Sequence, residues 1–205
     1  MIEALTLFAI LGIFAGLVAG LFGVGGGIIT VPFFVAFFIQ FGFEEEIIIH
    51  MAVGTSLGCI VFTGISSAYA HSKKNAISYN FLKPLASGIV IGAFLGALFA
   101  VQLNGNLLKT IIGIFALLIA ILMSVSRDIK LKPRNQTSKE PYFVGSGIGF
   151  FSSILGIGGG IFSVPYLKAS GLPMTSSVGT SAACGIPIAV FGALGYLISG
   201  VDNIL

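Results

Sequence analysis

Two short blocks hold the residues whose types and spacing could do chemistry. The first is a triple glycine, Gly25, Gly26 and Gly27, set in an apolar stretch and followed by Thr30 and Pro32. It returns as Gly158, Gly159 and Gly160, followed by Ser163 and Pro165. The second block is Val53-Gly54-Thr55-Ser56, which returns as Val178-Gly179-Thr180-Ser181. Glycines clustered in an apolar segment break a helix, and the helix that restarts begins with free N–H groups and a partial positive charge. Such an end attracts anions. Gly25, Gly26, Gly27, Gly158, Gly159 and Gly160 are therefore the expected frame of an anion site. Close helix packing with no ligand is the alternative. The hydroxyls of Thr55, Ser56, Thr180 and Ser181 would add donors to a bound oxyanion, although a helical Ser or Thr commonly bonds the carbonyl one turn back instead. Thr30 and Ser163 carry the same ambiguity.

Other chemistries find no residues to run on. No Asp or Glu lies near the centre of an apolar segment, where it would cost roughly 3 kcal/mol and mark a proton path or a catalytic acid. The glycine block lacks the Lys-Ser/Thr of a phosphate loop, so no nucleotide is expected. No Cys/His cluster has metal-ligand spacing, and neither a catalytic residue, a metal nor a cofactor is expected. Cys59 and Cys184 both fall inside apolar runs, where a thiol is usually a small packing residue. His50 and His71 fall at segment ends, where interfacial placement is expected.

The elements that must position these blocks follow from composition. Of 205 residues, 56% are hydrophobic and 8% charged, and the mean hydropathy is +1.08. A soluble domain carries about 25% charged residues to cover its surface. The expected solvent is lipid, and the expected fold is an all-α, polytopic transmembrane bundle with glycine-broken helices. The net charge of +3 is not a nucleic-acid signal, because the charges sit in short clusters between apolar runs. Crossing roughly 30 Å of hydrocarbon takes about 20 apolar residues. The uncharged stretch 4–43 is about twice that long and breaks at its glycines into roughly 5–23 and 28–42. Further segments are expected near 48–71, 84–103, 108–125, 142–157, 161–169 and 176–199. Gly12-Gly16-Gly20 and Gly88-Gly92-Gly96 have the four-residue spacing of close helix contacts. The basic loops 72–83 and 127–141 are expected on the cytoplasmic side, and acidic Glu44-Glu45-Glu46 outside.

Self-similarity organises the whole. Between 21–32 and 154–165, seven of twelve positions are identical, and the Val-Gly-Thr-Ser block follows in the same order. A single transmembrane domain over 1–205 is expected, with repeat one at 1–126, a basic linker at 127–141 and repeat two at 142–205. If 5–23 and 28–42 each cross, the repeats are inverted, a recurring transporter plan. Hairpins that do not cross leave a parallel arrangement open. Repeat two stops about two spans short of repeat one, so a truncated or shortened chain is expected.

At the Gly-Val-Gly-Gly-Gly-Ile-Ile-Thr-Val-Pro and Ala52-Val-Gly-Thr-Ser blocks, with their echoes, the sequence resembles the TauE/SafE family of sulfite-exporter-like permeases of the bacterial plasma membrane. The resemblance implies a multi-pass transporter of a small anion such as sulfite or a sulfonate, with the lipid bilayer as its other partner. Alternating access would rock one repeat against the other. Self-association is left open. A non-transporting accessory protein is the alternative, and an intramembrane enzyme a weaker one.

Overall fold

The computed structural model describes residues 12–13, 16, 27–125 and 139–202. Gly25, Gly26, nearly all of the first apolar segment and most of the basic linker lie outside these residues. The described residues form seven helices and no strand: α1 (Gly27–Gln40), α2 (Glu45–Ser72), α3 (Tyr79–Gln102), α4 (Gly105–Val125), α5 (Glu140–Leu155), α6 (Gly160–Ala169) and α7 (Met174–Asp202). Three of them, α2, α3 and α7, are long and apolar enough to cross a membrane. The charged residues collect at the turns, and large apolar side chains such as Phe62, Ile91, Leu117 and Leu197 point outward. That surface suits hydrocarbon and not water. The molecule is a multi-pass membrane protein.

Packing sets the direction of each helix. Gly88, Gly92 and Gly96 of α3 lie against Tyr142, Ser146 and Phe150 of α5, and Gly145 and Gly149 lie against Leu85 and Ile89 in return. A methyl on any of these five glycines would run into backbone of the facing helix. Missing side chains on both sides let the two backbones touch, which is how helices associate without a hydrophobic driving force. The register rises together on both sides, so α3 and α5 run in the same direction. By the same logic α2 and α7 are antiparallel, because Gly54 faces Tyr196 while Gly64 faces Ile186. Gly105 packs on Glu46, so α4 starts at the end where α2 starts. His50 adds a polar tie there, with Nε2 3.2 Å from the Ala100 carbonyl oxygen and 3.0 Å from that of Leu103.

Two ends result. Glu44, Glu45, Glu46 and the turn after α3 share one end. The turn holding Lys73 and Lys74 lies at the other, where Ser78 N–H donates to Thr180 Oγ1 over 2.9 Å. Lys139 enters α5 at that same end, because α5 runs alongside α3. The two described basic segments are thus separated by the bundle from the acidic turn, as expected from their charge.

Over their described residues, the two short helices do not cross. The 14 residues of α1 extend about 21 Å at 1.5 Å per residue, and the 10 of α6 about 15 Å. Helix α5 rises from the lysine-bearing end, stops partway at Gly156, and α6 returns to the end it came from. This hairpin is re-entrant. Gly27, the first described residue of α1, lies at the same depth, and α1 runs from there to the opposite end, leading into the acidic turn.

Candidate functional site

The break between α5 and α6 is built by backbone that only glycine adopts comfortably. Gly156 closes α5 at φ +68° and Gly159 caps α6 at φ +74°, left-handed values that cost an L side chain roughly 1–2 kcal/mol. Helix α6 has no side-chain cap. Its first N–H groups, those of Gly160 and Ile161, have no carbonyl in their own helix to bond, while Phe162 and Ser163 N–H donate to the Gly159 carbonyl at 3.1 and 2.9 Å.

The break sits at mid-depth. Ser56 and Ile60 bracket the middle of the 28-residue α2, and Ile188 is the middle of the 29-residue α7. Ser56 Oγ donates to the Gly156 carbonyl over 2.9 Å. A Cβ on Gly158 would stand 3.4 Å from Ile60, and one on Gly159 would meet Ile188. Unwound backbone at this depth has no lipid partner for its polar groups, and is found where protein or a wet cavity supplies one.

Two hydroxyl relays supply part of that need. With the Ser56 proton on Gly156, Thr30 Oγ1 donates to Ser56 over 2.7 Å, and the Gly27 carbonyl is a second, longer acceptor for the Thr30 proton at 3.4 Å. Ser163 Oγ donates to the Gly159 carbonyl over 2.8 Å, so its 2.6 Å contact with Ser181 is donated by Ser181. One relay runs Thr30 to Ser56 to Gly156, the other Ser181 to Ser163 to Gly159. Both end on carbonyls of the same break, from opposite sides. The paired residues are the ones the sequence aligns, Thr30 with Ser163 and Ser56 with Ser181.

The expected site residues thus fall in different places. Gly158, Gly159 and Gly160 form the break with its neighbour Gly156, and Gly158 is its half-open point. Gly27 opens α1 and is packed on the break itself, where a methyl would collide with the Gly156 carbonyl and Ile157. Ser56 and Ser181 are buried in the relays. Thr180 is buried and accepts from Ser78 N–H near the lysine-bearing end, whereas Thr55 is exposed on α2. Gly25 and Gly26 lie outside the described residues. Both cysteines lie on the central helices, Cys184 buried and Cys59 exposed.

One residue escaped the sequence. Ser152, on the last turn of α5, is fully buried, and its hydroxyl alone among the described buried side-chain polar atoms has no hydrogen-bond partner. Its oxygen stands 3.3 Å from where a Cβ of Gly159 would be, inside the hairpin and next to the start of α6. An unmade bond there costs about 1–3 kcal/mol. No repeat flags this serine, because the aligned residue of the first half is Ala19.

A helical bundle with an unwound segment at mid-depth, flanked by long crossing helices, is the architecture of a membrane transporter. The chain belongs to the sulfite exporter TauE/SafE family, whose family model matches residues 8–205. It is similar to a protein of Haemophilus influenzae named "Probable membrane transporter protein", 33% identical over 99% of this chain and 77% of that one. Relatives bearing the same description occur in Methanocaldococcus jannaschii, at 32% identity over 97% of this chain and 74% of the relative. Another, from Bacillus subtilis, is 32% identical over 97% of this chain and 80% of the relative. No solved structure matches.

Proposed function

We propose that this transporter carries a small oxyanion, sulfite, a sulfonate or a related sulfur-containing anion, and binds it at the start of α6. The observation that carries the proposal is the glycine break at mid-depth, which presents the N-terminal N–H groups of α6 near Gly158. Charge supports a singly charged solute. The sequence has no Lys or Arg before Lys73 and only Lys168 after Lys139, so the break offers a helix dipole of about half a charge and hydrogen bonds, not an ion pair. A dianion would stay under-neutralised.

Movement comes from the two halves. The antiparallel course of α2 and α7, the opposed directions of α1 and α6 from mid-depth, and the hydroxyl pairs at aligned positions support an inverted duplication. In such a plan one half rocks against the other around a fixed central site. The tight seat of Gly27 on Gly156 then belongs to a closed state, and opening parts the halves along that contact. Uptake of sulfite, sulfate, thiosulfate, sulfoacetate and a carboxylate into proteoliposomes, with and without a pH gradient, tests the proposal. Saturable flux of a sulfur oxyanion supports it; no flux of any of them would favour an accessory role in the membrane.

A further inference from the structure

Ser152 is the one described buried hydroxyl left without a bond, and it stands beside the start of α6, at mid-depth and with no side-chain cap. Every other hydroxyl of the break is spoken for. The protons of Thr30, Ser56, Ser163 and Ser181 are all committed within the relays, and donating to a solute would mean unlocking the break they hold. Ser152 can donate without breaking anything. Its own carbonyl meanwhile accepts the N–H of Ile157 over 3.0 Å, which fixes the last turn of α5 and keeps the side chain facing Gly159.

Resting on the anion-transport proposal above, we infer that Ser152 is a specificity-determining residue, donating its hydroxyl proton to an oxygen of the oxyanion held at the start of α6. The relays are then structural, and the division of labour is sharp: four hydroxyls shape the break and a fifth contacts the solute. In the closed state the Ser152 hydroxyl is unsatisfied, so the solute satisfies the protein as much as the protein satisfies the solute. An oxyanion, with several acceptor oxygens, can take the hydroxyl and the Gly160 and Ile161 N–H groups together.

The test uses the full chain, as wild type, Ser152→Ala, Ser152→Cys and a control, Ser87→Ala, on an exposed serine of α3 bonded to Pro84 in its own helix. Sulfite uptake into proteoliposomes gives KM and maximal rate, and thermal unfolding in detergent with and without sulfite gives the anion-linked shift. Hydrogen bonds to charged groups are strong enough that Ser152→Ala should raise KM about ten-fold or more, with Ser152→Cys between it and wild type. Without sulfite, the Ser152→Ala protein should unfold no earlier than wild type, since an unpaired hydroxyl is removed, while its sulfite-induced stabilisation shrinks. A structural serine would give the reverse: earlier unfolding and an unchanged KM. If wild type carries sulfite and the Ser152 variants match its KM, this inference falls and the transport proposal stands. If Ser152→Ala does not fold, a Ser152→Cys protein with wild-type KM overturns it equally. If wild type neither carries nor is stabilised by any sulfur oxyanion, both fall.

Discussion

Glycine plays opposite parts in two regions that lie side by side on α5. Along the seam with α3, Gly145 and Gly149 keep ordinary helical backbone and matter for what they lack, a side chain that would hold the helices apart. About two turns beyond Gly149, where α5 ends, Gly156 and Gly159 matter for the backbone they permit, at φ +68° and +74°. The seam keeps its polar groups inside regular helices and is pure packing. The break leaves a helix start uncapped and a hydroxyl unpaired at mid-depth. A glycine count alone cannot separate the two; spacing can. On α3 and α5, glycines four apart make a seam. Gly12 and Gly16, expected from the same spacing to lie in a close contact, are exposed, and a methyl on either meets nothing within 4 Å. Spacing needs a facing helix as well.

The largest effect should come from filling the seam. Gly92 sits against the Ser146 backbone with no room for a methyl, so Gly92→Leu should abolish the folded protein, seen as loss of a monodisperse peak in detergent. A milder change at the same place, Gly92→Ala, should lower the unfolding temperature sharply, because backbone cannot yield as a side chain can. If Gly92→Leu folded normally, the seam would not be the contact that holds α3 against α5.

The relays should rank next. Ser56→Ala leaves the Gly156 carbonyl without its donor and the Thr30 hydroxyl with only the 3.4 Å bond to Gly27, a loss of about 1–3 kcal/mol, and should speed unfolding while leaving insertion intact. Ser181→Ala removes the outer donor of the other relay and spares the Ser163 bond to Gly159, so it should cost less. Equal losses would show that the two relays do not end as drawn. Gly113→Ala is the quiet control. A methyl there meets nothing within 4 Å, so stability should stay within about 0.5 kcal/mol of wild type and flux should not change.

Much of this is legible in the residues themselves. The uncharged runs announce a bundle, the lysines sort its ends, and the four-residue spacing of Gly88, Gly92 and Gly96 announces a close helix contact. The doubled glycine block points to the break. The limits have physical causes. Hydropathy measures length and not depth, so it does not tell that α5 and α6 turn back at mid-depth. The repeated Thr-Ser pair looks uniform, yet Thr55 faces outward while Thr180 is buried against Ser78, because burial depends on neighbours that the dipeptide does not encode. Thr30 and Ser163 look secondary and are in fact the partners of Ser56 and Ser181. Ser152 carries no signal at all, since a serine on an apolar helix normally bonds its own backbone, as its neighbour Ser153 does with the Phe150 carbonyl.

The most direct test of the central claim, that the glycine break at mid-depth is where the anion binds, is sulfite uptake by Gly159→Leu beside wild type and Gly113→Ala. A leucine at Gly159 would press on Ile188 and cover the start of α6 without touching the seam. The expected result is a protein that inserts but unfolds earlier than wild type, because leucine is strained at φ +74°, and that carries no sulfite while folded, with Gly113→Ala unaffected. Undiminished, saturable sulfite uptake by folded Gly159→Leu would contradict it.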